Sequence, residues 1–215
     1  MKITGAIFDM DGTLLNSMDY WAIASGEYLE SLGIEPFDSC NQHFLEDGMK
    51  VWYETARSKG LEVPYDEVAK GIYDIMDKYY MNNVRLKDGA LELLQRLKDK
   101  GVKMCLATAT DELYVRKILT RLGIIDFFPK IFTSKTVGLG KRHPLIYEKS
   151  LEYLGTKKEE TYVFEDAIYA IKTCNAAGFN VIGIYDKNAY APKEEIKALC
   201  TLYLDEGDKY NFPID

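Results

Sequence analysis

The sequence has little of several features that mark particular protein classes. Only 4 cysteines, 2 histidines and 6 prolines occur among its 215 residues. Lysine and arginine number 27 against 34 aspartates and glutamates, which gives a net charge of −7. No run reaches the roughly 18 apolar residues that a membrane span needs. Because an acidic surface repels phosphodiester backbones and anionic lipids, we expect neither a nucleic-acid nor a membrane partner.

The few cysteines show no paired spacing. Cys40 and Cys200 lie far apart, and Cys105 and Cys174 lie in apolar or helical contexts. This pattern indicates free thiols in a reducing compartment, not a disulfide framework or a zinc site. Residues 1–12 hold one lysine and an apolar stretch that acids interrupt, unlike a signal peptide. We therefore expect a cytoplasmic protein, and we expect it to be a monomer.

What the sequence does contain is a regular alternation of strand and helix patterns from residue 88 onward, with glycine at the helix ends. Such alternation predicts an α/β fold, a doubly wound parallel (Rossmann-like) sheet with helices on both faces. One more predicted strand, 2–8, precedes a long stretch with helical patterns only. We therefore predict a core domain formed by 1–15 and 83–215, with an all-helical cap domain inserted at 16–82.

The predicted elements of the core are short and regularly spaced. The predicted strands lie at 2–8, 102–107, 130–133, 161–164, 180–184 and 201–204. The predicted helices of the core lie at 89–100, 112–122, 144–154, 167–177 and 192–199.

Two pairs of acidic residues follow predicted strands of this sheet. Asp9 and Asp11 follow the first strand, and Glu165 and Asp166 follow the fourth. The ends of parallel strands meet at one edge, so these carboxylates converge there. Two such charges about 4 Å apart repel by roughly 4 kcal/mol at an effective dielectric of about 20. Some must be protonated or hold a cation, and an all-oxygen ligand set suits Mg²⁺. Capping of the next helix by the second pair is an alternative interpretation, and both can hold together.

Two further loops offer groups that bind anions. Thr108 and Thr110 follow the strand 102–107 and precede a helix whose free amides can bind an anion, although either threonine also fits an ordinary helix cap. Lys141 lies in a glycine-containing loop before another helix, where its charge and backbone donors can hold a phosphoryl group. A loop lysine is more often a solvated surface residue.

Taken in order, these elements resemble the four motifs of the haloacid dehalogenase-like superfamily of phosphotransferases. The motifs are DMDGT at 9–13, LATAT around Thr108, GKRHP around Lys141 and FEDA at 164–167. The helical insert is similar to the small cap of the subgroup that contains β-phosphoglucomutase and phosphoglycolate phosphatase. Each motif is weak by itself, but four in this order, each at or after a predicted strand, are specific.

The resemblance implies a role for each acidic residue. Asp9 would be the nucleophile that forms an aspartyl-phosphate, and Asp11 would be the general acid and base. The carboxylates of Asp9 and Asp166 and the backbone carbonyl of Asp11 would bind Mg²⁺. Glu165 would bind the metal directly or through water.

The resemblance also implies a phosphoryl-binding set. Thr108 and the amide of Ala109 would bind phosphoryl oxygens, and Lys141 would neutralise the nucleophile and the developing charge. Dehalogenase chemistry fits poorly, because the second acid, Asp11, is present.

Several positions depart from the family pattern. Asn16 replaces an aspartate after the first motif, and we expect it to cap a helix equally well. In the third motif Arg142 replaces a proline and Leu145 replaces an aspartate, while the lysine and second proline remain. We therefore expect phosphoryl binding to survive, and we interpret His143 as a surface or cap-facing residue.

The function that the resemblance implies is a Mg²⁺-dependent phosphatase of a small phosphorylated metabolite, such as a sugar or polyol phosphate. A phosphomutase of the β-phosphoglucomutase type is the alternative, but it needs a basic clamp for a second phosphate. The cap segment 43–52 offers only His43 and Lys50, beside two acids. A phosphonatase, which needs a cap lysine for a Schiff base, is a third possibility with Lys50 as its candidate.

Specificity is expected to come from the cap, because the core groups contact only the phosphoryl group. Lys50, in a predicted loop around 46–50, and Trp21, just past the hinge, are the candidate substrate contacts. The alternatives are an ordinary helix–helix turn for that loop and a core position for the cap aromatics.

Overall fold

A computed structural model of the chain describes residues 1–38, 40 and 48–214. The chain divides into two compact units. One unit consists of Met1–Asn16 and Arg85–Asp215, and the other is Ser17–Val84. The boundaries expected from the sequence, after residues 15 and 82, lie one and two residues before these.

Among the described residues, the first unit holds a sheet of six parallel strands in the order β3-β2-β1-β4-β5-β6. The strands are β1 (Gly5–Phe8), β2 (Lys103–Thr108), β3 (Ile131–Thr133), β4 (Thr161–Glu165), β5 (Asn180–Ile184) and β6 (Leu202–Leu204). This sheet confirms the predicted doubly wound α/β fold.

The described α-helices lie in both units. They are α1 (Met18–Ser31), α2 (Met49–Ser58), α3 (Tyr65–Asn82), α4 (Ala90–Asp99), α5 (Glu112–Arg121), α6 (Ser134–Val137), α7 (Leu145–Leu154), α8 (Ile168–Ala176) and α9 (Lys193–Ala198). In the part of the chain that the structure describes, none is long and apolar enough to cross a bilayer.

The centre of the sheet is apolar because helices cover it. In β1, Ile7 pairs with Cys105 of β2 on one side and with Val163 of β4 on the other, and all three are fully or almost fully buried. Side chains of α7 and α8, including Ile146 and Ile171, belong to the same buried cluster. Burying a strand on both faces requires this near-continuous apolar run.

The strand order places the carboxyl end of β1 at a topological switch point. From β1 the chain moves to β2 and β3 on one side, and it then crosses to β4, β5 and β6 on the other. In sheets of this kind the ligand crevice lies where the strand order reverses. The loops after β1 and β4 therefore flank that crevice.

The second unit has a core of its own. Trp52 of α2 and Ile72, Met76 and Tyr80 of α3 are fully buried, and α1 packs against α3. Ser17, not Asn16, is the residue before α1, and it makes no side-chain cap.

The expectation that Asn16 caps a helix is wrong. Its side-chain oxygen instead accepts a hydrogen bond from the Arg85 amide at 2.7 Å, and its own amide donates to the Arg85 carbonyl at 3.1 Å. Asn16 thus joins the two chain connections to the inserted unit, because its side-chain oxygen and its amide both bond to the backbone of Arg85.

Candidate active site

The turn after β1 carries the first two acids. Strand β1 ends at Phe8, and the Asp9 amide still donates to the Phe164 carbonyl of β4 at 3.0 Å. The chain then turns sharply through Gly12, whose φ of 82° strongly favours a residue without a Cβ atom. Asp9 is 6% exposed and Asp11 is half-buried. The turn therefore holds Asp9 inside the protein and leaves Asp11 nearer the solvent.

Three carboxylates converge at this edge of the sheet. Asp9, Glu165 and Asp166 are buried, and each offers a carboxylate oxygen within 4.8 Å of the others. Thr13, which is fully buried, donates its hydroxyl to Asp166 Oδ1 at 2.9 Å. Glu165 Oε2 also accepts the amides of Asp166 at 3.0 Å and Ala167 at 3.1 Å. Glu165 thus joins the acidic cluster and also fixes the two residues before α8, but its contacts are not a side-chain cap of that helix.

Lys141 supplies the positive charge within this cluster. Its side chain is 2% exposed, and its Nζ atom donates to Asp9 Oδ1 and, at 2.6 Å, to Glu165 Oε1. Tyr147 of α7 donates its hydroxyl to the same Glu165 oxygen at 3.2 Å. Lys141 is therefore not a solvated surface lysine, because the cluster encloses its ammonium group.

Burial sets the protonation behaviour of these groups. Burial, with help from Glu165 and Asp11, raises the pKa of Asp9 to about 7 although Lys141 opposes the shift. Burial and the neighbouring carboxylates also raise the pKa of Asp166 well above its ordinary value. Burial disfavours the charged form of Lys141, but Asp9 and Glu165 outweigh it and raise its pKa. Without a metal ion, Asp9 and Asp166 therefore keep their protons to a higher pH than ordinary aspartates do.

The donor set fits a hard divalent cation. Three buried carboxylates face one another, and among the described residues the Lys141 ammonium group is the cation that contacts them, so the cluster carries excess negative charge when ionised. Oxygen ligands of this kind are those that Mg²⁺ takes in proteins. Asp9 and Asp166 offer the carboxylate oxygens, and Asp11 lies in the turn beside them.

The end of β2 forms the other wall of the site. Thr108 is 1% exposed, and its hydroxyl accepts the Thr110 amide at 3.1 Å. Ala109, between them, is exposed. Thr110 donates its hydroxyl to Asp11 Oδ2 at 2.7 Å, and Asp111 is the residue that caps α5. Thr110 therefore orients Asp11. The sequence predicted that the two strand ends meet, but it did not predict this hydrogen bond.

A second ion pair, which is largely buried, lies next to the cluster and was not predicted from the sequence. Lys87 lies 2.9 Å from Asp186, which follows β5, and its Nζ atom also donates to the carbonyls of Gly12 and, at 2.7 Å, Tyr185. An acid after an apolar strand is the signal that would have found Asp186. Lys87 carried no comparable signal, because it lies outside the four motifs.

The two candidate specificity residues belong to the inserted unit. Trp21 of α1 is 7% exposed, and its indole N–H donates to the Tyr80 hydroxyl at 3.1 Å. Trp21 therefore lies in the core of that unit. Lys50 is exposed in the first turn of α2, not in a loop as predicted, because the helix begins at Met49. Residues 46 and 47 of the predicted loop, like His43, lie outside the described residues.

Arg142 and His143 lie in the lysine loop at the surface. The Arg142 guanidinium stacks 4.6 Å from the centre of the Tyr169 ring. His143 is exposed, and its Nδ1 atom accepts the Leu145 amide at 3.2 Å at the start of α7. Its position at the start of a helix fits the surface role expected for it.

Known proteins are similar to this chain in sequence over most of its length. The chain is 29% identical over 210 residues to a glyceraldehyde 3-phosphate phosphatase of Methanocaldococcus jannaschii, covering 90% of this chain and 89% of that one. It is 27% identical over 202 residues to a phosphoglycolate phosphatase of Colwellia psychrerythraea, covering 87% and 89%.

Solved structures agree on the fold. A β-phosphoglucomutase-like protein of Thermotoga maritima superimposes with a TM-score of 0.74 at 22% identity, covering 96% of each chain. At that identity the likeness concerns the fold.

The family assignment rests on a match to a family model over most of the chain. The family model described as haloacid dehalogenase-like hydrolase matches residues 6–184, which include all four motifs and the inserted unit. The resemblance inferred from the motifs is thereby confirmed, and the chain belongs to the haloacid dehalogenase-like hydrolase family.

Proposed function

We propose that the protein is a Mg²⁺-dependent phosphatase that hydrolyses a small phosphorylated metabolite, such as a sugar or polyol phosphate, through an aspartyl-phosphate on Asp9. The observation that carries this proposal is the buried contact of Lys141 with Asp9 and Glu165, beside Asp166. Relatives named as phosphatases of phosphoglycolate and glyceraldehyde 3-phosphate support the substrate class. A cytoplasmic location and a monomeric state stay predictions from the sequence.

Asp9 is suited to be the nucleophile because it is buried and paired with a lysine. Mg²⁺, when bound, would supply the positive charge that lets an anionic carboxylate approach an anionic phosphoryl group. Asp9, Asp166 and the Asp11 carbonyl would hold it, with Glu165 as a direct or water-mediated partner. Lys141 would balance charge on Asp9 and on the phosphoryl oxygens, and Thr108 with the Ala109 amide would bind those oxygens.

Asp11 is suited to move the protons. In the first step, a carboxylate oxygen of Asp9 bonds to phosphorus, the ester P–O bond breaks, and Asp11 gives its proton to the leaving oxygen. In the second step, Asp11 takes a proton from a water molecule whose oxygen attacks phosphorus. The bond between Asp9 and phosphorus breaks, and inorganic phosphate leaves. Thr110, which holds Asp11 Oδ2, supports this role.

The phosphomutase alternative differs in the acceptor of the phosphoryl group. A mutase must bind a second phosphate, and the segment 43–52 contains no arginine for that purpose. The phosphatase names of the relatives also favour transfer to water. Lys50 as a Schiff-base lysine has no support from its exposed position at the start of a helix.

The test is a screen of phosphorylated metabolites for phosphate release with Mg²⁺ and with excess chelator. The screen includes β-glucose 1-phosphate, whose conversion to the 6-phosphate would identify a mutase. We expect phosphate release that needs Mg²⁺, and inhibition by Ca²⁺, because its larger coordination shell misplaces the nucleophile. Asp166→Ala should raise the required Mg²⁺ concentration at least tenfold, whereas Asp126→Ala, at an exposed position, should not. Full activity in excess chelator would contradict the proposal.

A further inference from the structure

The chain continues beyond the last strand and returns to the edge of the sheet that carries the acids. We call residues 205–214 the C-terminal segment. After β6 it turns through Asp205 and Asp208, where the Asp205 amide donates to Asp208 Oδ2 at 2.7 Å. Tyr210, Phe212 and Ile214 are then buried at 5%, 5% and 8% exposure. A terminal segment without strand or helix packs in this way only when specific contacts hold it.

Two side chains fix the path of the C-terminal segment. Arg96 of α4 donates from Nη1 to the Tyr210 carbonyl at 3.3 Å and from Nη2 to the Phe212 carbonyl at 2.6 Å. The Phe212 ring lies 6.2 Å from the Phe164 ring of β4 and 5.9 Å from the Arg96 guanidinium. The segment is thus tied to a helix and a central strand of the core.

The backbone of the segment adopts an unfavourable conformation at its centre. Lys209 and Tyr210 have φ values of 43° and 55°, in the left-handed region that non-glycine residues seldom occupy. The Lys209 carbonyl also lies where a side chain on Gly89 would be, 2.1 Å from the position of its Cβ atom. Two consecutive residues of this kind persist only where the surroundings determine them, and they are common at functional sites.

The left-handed conformation of Lys209 and Tyr210 places the Tyr210 hydroxyl against the turn after β1. It donates to the carbonyl of Thr13. Burial, with the nearby charges of Asp166 and Asp186, raises the pKa of Tyr210, so its hydroxyl keeps the proton that it donates. Thr13 in turn donates its own hydroxyl to Asp166 Oδ1 at 2.9 Å. Thr13 therefore links the C-terminal segment to an acid of the cluster, because its carbonyl accepts one hydrogen bond and its hydroxyl donates the other.

We propose that Tyr210 is a positioning residue for the magnesium site, and that the C-terminal segment is a brace that fixes the turn 10–13 through the Thr13 carbonyl. This inference rests on the proposed function, because it assigns Asp166 to the metal. The turn carries Asp11 and Thr13. The hydrogen bond from Tyr210 to the Thr13 carbonyl fixes the direction of the Thr13 hydroxyl, and that hydroxyl in turn fixes the position of the Asp166 carboxylate. Residues that orient the ligands of a metal commonly change its affinity tenfold or more when they are removed.

The test compares Tyr210→Phe with Tyr162→Phe. Among the described residues, the Tyr162 hydroxyl on β4 makes no hydrogen bond, which makes it a matched control for loss of a tyrosine hydroxyl. Thermal unfolding in increasing Mg²⁺, without substrate, gives an apparent Mg²⁺ dissociation constant for each protein. Hydrogen exchange of the metal-free proteins reports the mobility of the turn amides at 10–15. Phosphatase assays give kcat at saturating Mg²⁺ and the Mg²⁺ concentration for half-maximal rate.

For Tyr210→Phe we expect the apparent Mg²⁺ dissociation constant to rise about fivefold, as loss of one buried hydrogen bond implies. The turn amides should exchange faster, the half-maximal Mg²⁺ concentration should rise in parallel, and saturating Mg²⁺ should restore most of kcat. Arg96→Lys, which loses the two-pronged contact but keeps the hydroxyl, should shift the same quantities less. Tyr162→Phe should match the wild-type protein.

Two results would overturn the inference. An unchanged Mg²⁺ constant and unchanged exchange in Tyr210→Phe, with only a lower unfolding temperature, would show that the segment merely stabilises the fold. A wild-type protein that hydrolyses phosphate esters but shows no stabilisation by Mg²⁺ would remove the metal from the role assigned to Tyr210. Absence of phosphatase activity in every protein, with the Mg²⁺ shift intact, would instead contradict the proposed function and leave the brace supported.

Discussion

The ammonium group of Lys141 and the carboxylate of Asp9 form a buried ion pair, although 132 residues separate them in the sequence. Both side chains are almost fully withdrawn from solvent, at 2% and 8% exposure. A charge pair in such surroundings is only weakly screened, so removal of one partner leaves the other charge uncompensated.

Lys141→Met should therefore lower kcat/KM for a generic phosphate ester by about a thousandfold, since loss of one group that stabilises the transition state costs roughly a hundred- to a thousandfold. The measurement is a steady-state assay with p-nitrophenyl phosphate at saturating Mg²⁺. Lys149→Met, at an exposed position on α7, is the control and should keep its activity. A Lys141→Met enzyme within tenfold of wild type would mean that the lysine is structural.

Thr110→Val should impair protonation of the leaving group, because the Thr110 hydroxyl holds Asp11 Oδ2 at 2.7 Å. We expect kcat/KM to fall about tenfold for an alkyl phosphate, whose leaving oxygen needs the proton. The fall should be much smaller for p-nitrophenyl phosphate, whose leaving group does not. Thr120→Val, on the exposed face of α5, is the matched control. Equal losses on both substrates would show that Thr110 acts on binding or folding instead.

The stability of the metal-free protein should fall as pH rises through neutrality. Burial raises the folded-state pKa of Asp9 from its ordinary 3.8 to about 7, and the pKa of Asp166 shifts the same way. Between these two pKa values the folded state therefore binds more protons than the unfolded state. The contribution of Asp9 to the free energy of unfolding is full below about pH 3.8 and is lost by about pH 7.

Thermal unfolding in chelator at pH 5 and pH 8 measures this effect. Compared with Asp9→Asn, which cannot titrate at that position, the wild-type protein should lose several degrees more between the two pH values. Mg²⁺ should recover the loss at pH 8, where the carboxylates are ionised and ready to bind it. Parallel pH profiles for the two proteins would contradict the assignment of the shift to Asp9.

The strands of the core could be predicted closely because each is a short apolar run between turns. β5 occupies the predicted residues 180–184, and β2 and β4 each end one residue beyond the prediction. β1 begins at Gly5 and not at Lys2, because Lys2 is exposed and pairs with Glu160 at 2.7 Å. Apolar patterns locate a buried segment, but they do not show at which residue its backbone hydrogen bonding to the neighbouring strands begins.

Some contacts of the candidate site could likewise be predicted from the sequence, and others could not. That Asp9, Asp166 and Lys141 approach one another follows from the rule that parallel strand ends and their loops share an edge. Thr110, Lys87 and Tyr210 could not be predicted as partners, because the directions of their hydrogen bonds depend on side-chain packing. No period or spacing in the sequence encodes such contacts.

Substrate preference should depend on the inserted unit, because the core groups contact only the phosphoryl group that all substrates share. Lys50→Ala should change the ranking of phosphorylated metabolites several-fold and leave p-nitrophenyl phosphate nearly unchanged, since that ester offers the lysine no polar partner. Lys78→Ala, exposed on α3, is the control for loss of a lysine from the same unit. If every substrate loses equally, Lys50 contributes to folding or motion of the unit. If none changes, specificity resides elsewhere.

The most direct test of the account is to trap the phosphoryl group on Asp9. Wild-type protein is mixed with substrate and Mg²⁺, quenched in acid during turnover and reduced with borohydride, which converts an acyl phosphate of aspartate to homoserine. Peptide mass spectrometry then locates the product. We predict homoserine at position 9 only when substrate is present, none at Asp11, Glu165 or Asp166, and none in an inactive Asp9→Asn protein. Turnover without homoserine at position 9, or an Asp9→Asn protein with near wild-type activity, would contradict the covalent mechanism.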